Sequence, residues 1–172
     1  AAGSLGLSRS AHAAGSDVIK VALVGAGGRG KGAVNQLMNA DENLKLVAVA
    51  DAFQDNAEKA VQQIGKAHAK QVQVPPDQVF SGFDAYKKAL ATEADLVVLA
   101  TSPGFRPIHF KAAIKAGKHI FMEKPCCTDA PGFRMLMETA KLADEKGLLV
   151  GVGLQRRHQP NYMETVKRIQ DG

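Results

Sequence analysis

Three glycines in this chain of 172 residues have the spacing of a turn that holds a phosphate group. Gly25, Gly27 and Gly30 fit the pattern G-x-G-x-x-G, with Ala26 in its first variable place and Gly28 and Arg29 in the other two. The first glycine of this pattern allows a tight turn, the second lets a pyrophosphate approach the backbone, and the third lets a helix pack against the preceding strand. The helix then offers free N–H groups and the positive end of its dipole. The spacing indicates a dinucleotide site; the alternative is a glycine-rich loop without a ligand.

An acidic residue follows this turn at the distance typical of a ribose-binding carboxylate. Asp51 comes 21 residues after Gly30, at the end of an apolar run over residues 44–50. A carboxylate there accepts hydrogen bonds from the hydroxyls of the adenosine ribose and repels a 2′-phosphate. Asp51 therefore favours NAD over NADP. The alternative is that Asp51 only caps the next helix.

A lysine that could act on a substrate hydroxyl lies at the end of a later apolar run. Lys124 stands between Glu123 and Pro125, directly after residues 119–122. A lysine in a proline-fixed turn beyond a strand can reach a hydroxyl above a bound nicotinamide and help to deprotonate it. Lys124 is therefore the candidate catalytic residue, and Glu123 and Pro125 are expected beside the cofactor.

Two further groups of candidates follow predicted strands. Thr101, Ser102 and Pro103 form a turn after the clearest buried strand of the later chain. Ligands of open α/β sheets bind beyond the carboxyl ends of the strands, so this turn is expected to contact the cofactor. Arg156 and Arg157 follow the last predicted strand and are candidates for binding substrate or phosphate, although surface arginines fit the pattern equally well.

Composition excludes several classes of protein. The 22 basic and 17 acidic residues are scattered, which does not indicate a nucleic-acid surface, and no apolar run reaches the length of a membrane span. Cys126 and Cys127 are adjacent and are expected to be free thiols. The five histidines show no metal-ligand spacing, so no metal site is predicted. His109, in the first turn of a predicted helix, is expected to be structural.

The elements that must position these residues alternate between strand and helix. This alternation predicts an α/β fold, a Rossmann-type doubly wound parallel sheet. Phe133, Leu136, Met137 and Ala140 have helical spacing and are predicted to face the core. Asn161 is predicted to cap a last helix that carries Met163, Val166 and Ile169. Strands are predicted over residues 19–24, 44–50, 78–80, 95–101, 119–122 and 148–154.

The first sixteen residues show no periodicity and are set apart from the domain predicted over residues 17–172. Residues 1–16 are rich in Ala, Gly and Ser and contain Ala11-His12-Ala13, which resembles a leader-peptide cleavage site. They are interpreted either as a leader remnant or as a flexible processed terminus. The first interpretation implies export or a periplasmic location, and the second implies a cytoplasmic location.

With these motifs placed, residues 18–172 resemble the N-terminal half of the Gfo/Idh/MocA oxidoreductases. The resemblance rests on residues 24–30, on Asp51, on residues 99–103 and above all on residues 116–125, which contain Glu-Lys-Pro after Ala-Gly-Lys-His. It implies that Lys124 lies near nicotinamide and substrate and that Pro125 follows a cis bond. Ser102 stands where many members have a second proline.

The resemblance also implies an activity and a missing part. Members of the family carry a C-terminal α/β domain that supplies most substrate contacts, and no such domain is contained in this sequence. The expected function is that of a sugar or polyol dehydrogenase domain which binds NAD for hydride transfer at a secondary alcohol and forms a homo-oligomer at full length. The fragment alone is expected to be inactive. The alternatives are an NAD-dependent glycosidase of the same superfamily and a non-catalytic nucleotide-binding module.

Overall fold

The structure is a computed structural model that describes residues 17–172. The predictions for residues 1–16, including the cleavage-like site at Ala11-His12-Ala13, lie outside the described residues. In the described part, strands and helices alternate from β1 to the last helix, as the sequence predicts.

Six parallel strands form one sheet with the order β3-β2-β1-β4-β5-β6. This is the order of a doubly wound dinucleotide-binding sheet, so the predicted fold class is confirmed. The direction of winding reverses between β1 and β4, whose carboxyl ends therefore flank the switch point at which such sheets bind ligands. The strands are β1 (Ile19–Val24), β2 (Leu44–Asp51), β3 (Val79–Ser81), β4 (Leu96–Leu99), β5 (His119–Met122) and β6 (Val150–Val152).

The helices cover both faces of this sheet. Short 3-10 turns at Pro76–Gln78 and Gln155–His158 precede β3 and the last helix. Gly117, with φ +73°, follows the end of the fourth helix, where a glycine can adopt the left-handed conformation that commonly ends a helix. The α-helices are α1 (Gly28–Ala40), α2 (Gln54–Ala67), α3 (Ala85–Leu90), α4 (Arg106–Lys115), α5 (Ala130–Glu145) and α6 (Pro160–Asp171).

The central strands are apolar on both faces because helices bury both. Side chains of a strand alternate between the two faces of the sheet, so β1 contributes side chains to two separate hydrophobic clusters. Ala22 and Val24 pack with Phe110 of α4, whereas Val21 and Leu23 pack with Val34 of α1. Burial on both faces fixes the strand register, and with it the positions of the turns beyond the carboxyl ends.

The predicted core face of α5 is wrong in part. Phe133 and Met137 are 55% and 51% exposed, and Ala140 is exposed as well, whereas Leu136, Thr139 and Ala143 are buried. The helix packs mainly on α4, and this contact buries only a narrow stripe. Thr139 can lie in that stripe because its hydroxyl donates to the carbonyl oxygen of Met135, 2.7 Å away.

The predicted cap of the last helix is also wrong. Pro160 is the first residue of α6 and Gln159 is its N-cap, so Asn161 lies inside the first turn, and no side chain caps the helix. A proline suits the first helical position because its fixed φ is helical and its missing N–H would have no partner there. The apolar residues Met163, Val166 and Ile169 are exposed.

Candidate functional site

The glycine-rich turn lies between β1 and α1, and two of its glycines are required by packing within the chain. Gly25 has φ +95°, and a Cβ there would lie 2.5 Å from the backbone nitrogen of Thr101. A Cβ on Gly30 would lie 1.9 Å from the carbonyl oxygen of Gly25. The turn can therefore close against β4 and α1 only without these two side chains.

Gly27 differs from Gly25 and Gly30 because no contact within the described chain requires a glycine there. Its φ is −67°, which any residue adopts, and an added Cβ would meet no protein atom within 4 Å. The same open space lies over Gly28. Gly27 is the N-cap of α1, whose first turn has neither a side-chain cap nor an acidic residue. Free N–H groups under open space fit a bound pyrophosphate.

A cavity of about 430 Å³ adjoins this turn at the switch point. Gly25, Gly27, Asp51, Thr101 and Ser102 line it, which places five of the sequence-predicted residues around one space. Aromatic side chains of the β2–α2, β3–α3 and β4–α4 connections form part of its wall. Among the described residues that line the cavity there is no lysine or arginine. The aromatic lining residues are Phe53, Phe83, Tyr86, Phe105 and His109.

Asp51 holds the turn as well as facing the cavity. Its Oδ2 accepts a hydrogen bond of 2.7 Å from the backbone N–H of Ala26, and its Oδ1 accepts from Phe53 N–H at 3.0 Å and from Asn56 Nδ2 at 3.2 Å. Phe53 is the N-cap of α2, so Asp51 supports the start of that helix from two residues before the cap. A carboxylate has about four acceptor positions, which leaves capacity for a ribose hydroxyl.

His109 is buried in the wall of this cavity. Its Nδ1 lies 3.1 Å from the Thr101 hydroxyl, and its ring lies 4.3 Å from the ring of Tyr86. Burial, assisted by the nearby positive charge of Arg106, lowers the pKa of His109 to about 4. The imidazole is therefore neutral at pH 7 and serves as a polar packing group for the turn after β4.

Arg106 is a buried cation that the sequence analysis missed. It begins α4, is 3% exposed, and donates hydrogen bonds to the carbonyl oxygens of Thr101 and Pro125. Its pKa is lowered, mainly by burial. One guanidinium thus joins the turns after β4 and β5. No periodicity marks such a residue, because its role depends on two carbonyl groups that are distant in sequence.

The turn after β5 contains Glu123, Lys124 and Pro125, and the Lys124–Pro125 peptide is cis, which confirms that prediction. Lys124 is exposed, whereas Glu123 is only 4% exposed. A second cavity, of about 450 Å³, lies beside Lys124, and its other lining residues are Gly153, Leu154, Gln155, Arg156 and Arg157.

The structure therefore places some of the candidate residues around two cavities. Five of the nucleotide candidates line the first cavity, and Lys124 lines the second together with the two arginines. The guanidinium of Arg156 lies 5.3 Å from the centre of the Tyr162 ring. Nη2 of Arg29 lies 2.5 Å from Oε1 of Glu123, and neither of these two candidates lines either cavity. Of the remaining candidates, Gly28, Gly30, Pro103 and Pro125 line neither cavity.

The sheet order and the glycine-rich turn at its switch point define a Rossmann-type domain of the dinucleotide-binding class. Residues 19–154 match the family model described as "Oxidoreductase family, NAD-binding Rossmann fold". The chain belongs to the Gfo/Idh/MocA oxidoreductase family, as the resemblance indicated.

Curated relatives in this family are inositol dehydrogenases. Inositol 2-dehydrogenase of Klebsiella pneumoniae (strain 342) is 30% identical over 154 residues, which are 90% of this chain and 42% of the relative. The enzyme of the same name from Rhizobium meliloti is 32% identical, over 90% of this chain and 41% of the relative. The chain thus spans about two fifths of the length of the curated relatives it matches.

Solved structures share the fold. Scyllo-inositol dehydrogenase from Lactobacillus casei, solved with NAD(H) and scyllo-inositol, matches with a TM-score of 0.70 and 23% identity over 90% of this chain and 42% of its own. The 3-ketoreductase KijD10 from Actinomadura kijaniata, solved with NADP and TDP-benzene in an open conformation, gives a TM-score of 0.69 and 20% identity over 91% and 44%. The two neighbours bind different nicotinamide cofactors.

Two other kinds of feature are absent from the described residues. No helix of residues 17–172 is long and apolar enough to cross a membrane. No cluster of three or more potential metal ligands occurs in the same residues. Cys126 and Cys127 are both half-buried free thiols, and burial raises the pKa of Cys126.

Proposed function

We propose that this chain is the cofactor-binding part of an NAD-dependent dehydrogenase that oxidises a secondary alcohol of a sugar or polyol. The observation that carries the proposal is Gly27, whose conformation and surroundings in the chain would accept a side chain. A bound pyrophosphate over the N-terminus of α1 explains a glycine at that position. The names of the inositol dehydrogenases among the relatives support the substrate class.

The lining of the first cavity supports the proposed preference for NAD over NADP. Asp51 lies at the end of β2, and no lysine or arginine is among the cavity's lining residues in the described chain. A 2′-phosphate beside Asp51 would be repelled and would find no cation among those residues to neutralise it. The ribose hydroxyls of NAD can instead donate to the carboxylate.

The proposed role of Lys124 is to handle the proton of the reacting hydroxyl. Oxidation of a secondary alcohol removes a hydride from carbon and a proton from oxygen, and bound NAD accepts the hydride. Lys124 lies directly beyond β5, is exposed, and lines the second cavity, so its amino group is accessible to a substrate there. It would polarise the hydroxyl and help to remove its proton. Arg156 and Arg157 are proposed to contact the substrate from the same cavity.

The proposal also includes the extent of the NAD-binding domain. Residues 17–172 would form the NAD-binding domain, with α6 leading towards a substrate domain in a longer protein. The relatives, of which the chain spans about two fifths, support this reading. At full length the enzyme would form a homo-oligomer.

The test is a titration of the purified chain with NADH, followed by fluorescence. Gly27→Val should abolish binding while circular dichroism stays that of the wild type, because the valine side chain would occupy the path of the pyrophosphate. Gly65→Val is the matched control, since a Cβ at Gly65 in α2 also meets nothing within 4 Å. Wild-type affinity in Gly27→Val would make the turn structural and would contradict the proposal.

A further inference from the structure

The buried carboxylate of Glu123 lies directly before Lys124 and has one hydrogen-bonded side chain as its partner in the described residues. That partner is Arg29, whose Nη2 lies 2.5 Å from Oε1. A carboxylate that is 4% exposed is costly to bury without a cation. Arg29 therefore determines where the Glu123 side chain is held.

Gly153, just beyond β6, packs closely against the Glu123 carboxylate. A Cβ on Gly153 would lie 2.8 Å from Oε1 and 3.0 Å from Oε2. The backbone N–H of Glu123 is fixed as well, since it donates to the carbonyl oxygen of Leu99 at 3.0 Å. The residue before Lys124 is thus held from β4, from the position after β6 and from the glycine-rich turn.

Arg29 itself belongs to the first turn of α1, where a pyrophosphate would lie. Its side chain extends from this turn to the one after β5, and Nη1 also lies 3.4 Å from Oε1 of Gln36. With its charge committed to Glu123, the guanidinium contributes little net positive charge to the phosphate site. The free N–H groups of α1 would then bind the phosphates.

We propose that Arg29 is a positioning residue for Lys124: through its ion pair with Glu123 it couples the nucleotide-binding turn to the turn that carries the candidate catalytic lysine. This inference rests on the proposed roles of Lys124 and of the glycine-rich turn. It gives Arg29 a different task from direct phosphate binding, which its place in the motif would suggest.

The first test is a double-mutant cycle on NADH affinity. Arg29→Gln and Glu123→Gln should each weaken NADH binding by a similar factor of about three to ten. The double variant should bind NADH no more weakly than either single variant, because each change removes the same ion pair. If Arg29 bound the phosphates directly, Glu123→Gln should instead strengthen NADH binding, since removal of the carboxylate would free Arg29 for the phosphates. Additive losses or tighter binding in Glu123→Gln would overturn the inference.

The second test reads Lys124 directly and needs neither cofactor nor turnover. The lysines are labelled with 13C-methyl groups, and the NMR signal of Lys124 is identified by its loss in Lys124→Arg. Arg29→Gln, Glu123→Gln and Gly153→Ala should each move this signal, the last because its Cβ would displace the carboxylate with both charges retained. Arg29→Lys, which keeps a cation, should return the signal part of the way.

Arg168→Gln is the matched control, because it breaks the exposed Arg168–Glu164 pair of 2.9 Å in α6. It should leave both the Lys124 signal and NADH affinity unchanged. If the NMR signal of Lys124 has the same position in Arg29→Gln as in the wild type, the inference is overturned even if the chain binds NADH. Failure of the wild-type chain to bind NADH would instead overturn the proposed function, while the NMR comparison would still decide the coupling.

Discussion

The backbone N–H of Ala26 donates a hydrogen bond of 2.7 Å to Oδ2 of Asp51. The residue that ends β2 thus holds the turn that follows β1, with the two strands paired in parallel beneath them. A carboxylate expected to discriminate between nucleotides also shapes the turn that is proposed to bind their phosphates. Substitutions at Asp51 therefore act on both tasks, and their effects separate only when NADH and NADPH are compared.

Asp51→Ala should weaken NADH binding and narrow the gap between NADH and NADPH by about 1 to 3 kcal/mol, if the ribose hydrogen bonds are charge-assisted. Loss of the Ala26 bond should weaken both nucleotides together. Fluorescence titrations with NADH and NADPH measure the two effects. Equal affinities of the wild-type chain for NADPH and NADH would contradict the proposed preference for NAD over NADP.

His109 should make stability depend on pH. Its pKa is lowered to about 4 by burial, whereas an unfolded histidine titrates near 6.5. Below about pH 6.5 the unfolded chain binds a proton that the folded chain does not, so stability falls until the pH reaches about 4. Between pH 7 and 5 this amounts to about 2 kcal/mol.

Urea unfolding at pH 7 and pH 5 measures this loss. His109→Gln should lose less stability over the interval than the wild type, because glutamine does not titrate. His158→Gln removes an exposed histidine and should keep the wild-type dependence. Equal losses in His109→Gln and in the wild type would show that His109 is not responsible.

Arg106 should matter for stability more than an arginine at a helix start usually does. Arg106→Met would leave the carbonyl oxygens of Thr101 and Pro125 without this partner, at about 1 to 3 kcal/mol for each group that stays dry. The free energy of unfolding, from urea titration, is the measurement. Arg134→Met, at an exposed position of α5, is the control and should change stability little. Two variants of equal stability would mean that water replaces the guanidinium.

Lys124→Ala should lower turnover about 10²- to 10⁴-fold in the full-length protein and leave NADH affinity nearly unchanged. The physical reason is that Lys124 would act on the substrate hydroxyl, whereas five of the proposed nucleotide contacts line the other cavity. Steady-state rates and NADH titrations are compared with those of Lys141→Ala, an exposed lysine of α5. Turnover unaffected by Lys124→Ala would remove this residue from the mechanism.

The parts of the site that the sequence predicted are those that depend on local spacing. Gly25, Gly30 and Asp51 occur where the motif places them, because a strand, a tight turn and a helix in succession leave few alternatives. Arg106 could not be predicted, since its two acceptors belong to turns that only the folded sheet brings together.

The errors in α5 and α6 have a related cause. Helical spacing shows that Phe133 and Met137 share a face, but it does not show whether another element covers that face. In the described chain α5 buries only the stripe that meets α4, and the apolar residues of α6 are exposed. Periodicity thus predicts the helices well and their buried faces less well.

The purified chain should bind NADH but should not oxidise sugars or polyols at an enzymatic rate. Lys124, Arg156 and Arg157 are all exposed, so within the described residues the cavity that they line is open to solvent. Hydride transfer requires donor and acceptor carbons about 3 to 3.5 Å apart, and such positioning supplies roughly 7 to 11 kcal/mol of the barrier.

The test is incubation of the chain with NAD and a panel of sugars and polyols, inositols among them, while NADH is followed at its absorbance maximum. NADH binding by the same preparation shows that the cofactor site is intact. The exposed apolar residues of β6 and α6 should also make the chain self-associate, which light scattering measures. Robust NADH production by this chain would show that residues 17–172 suffice to position the substrate, and the proposed need for a further domain would be wrong.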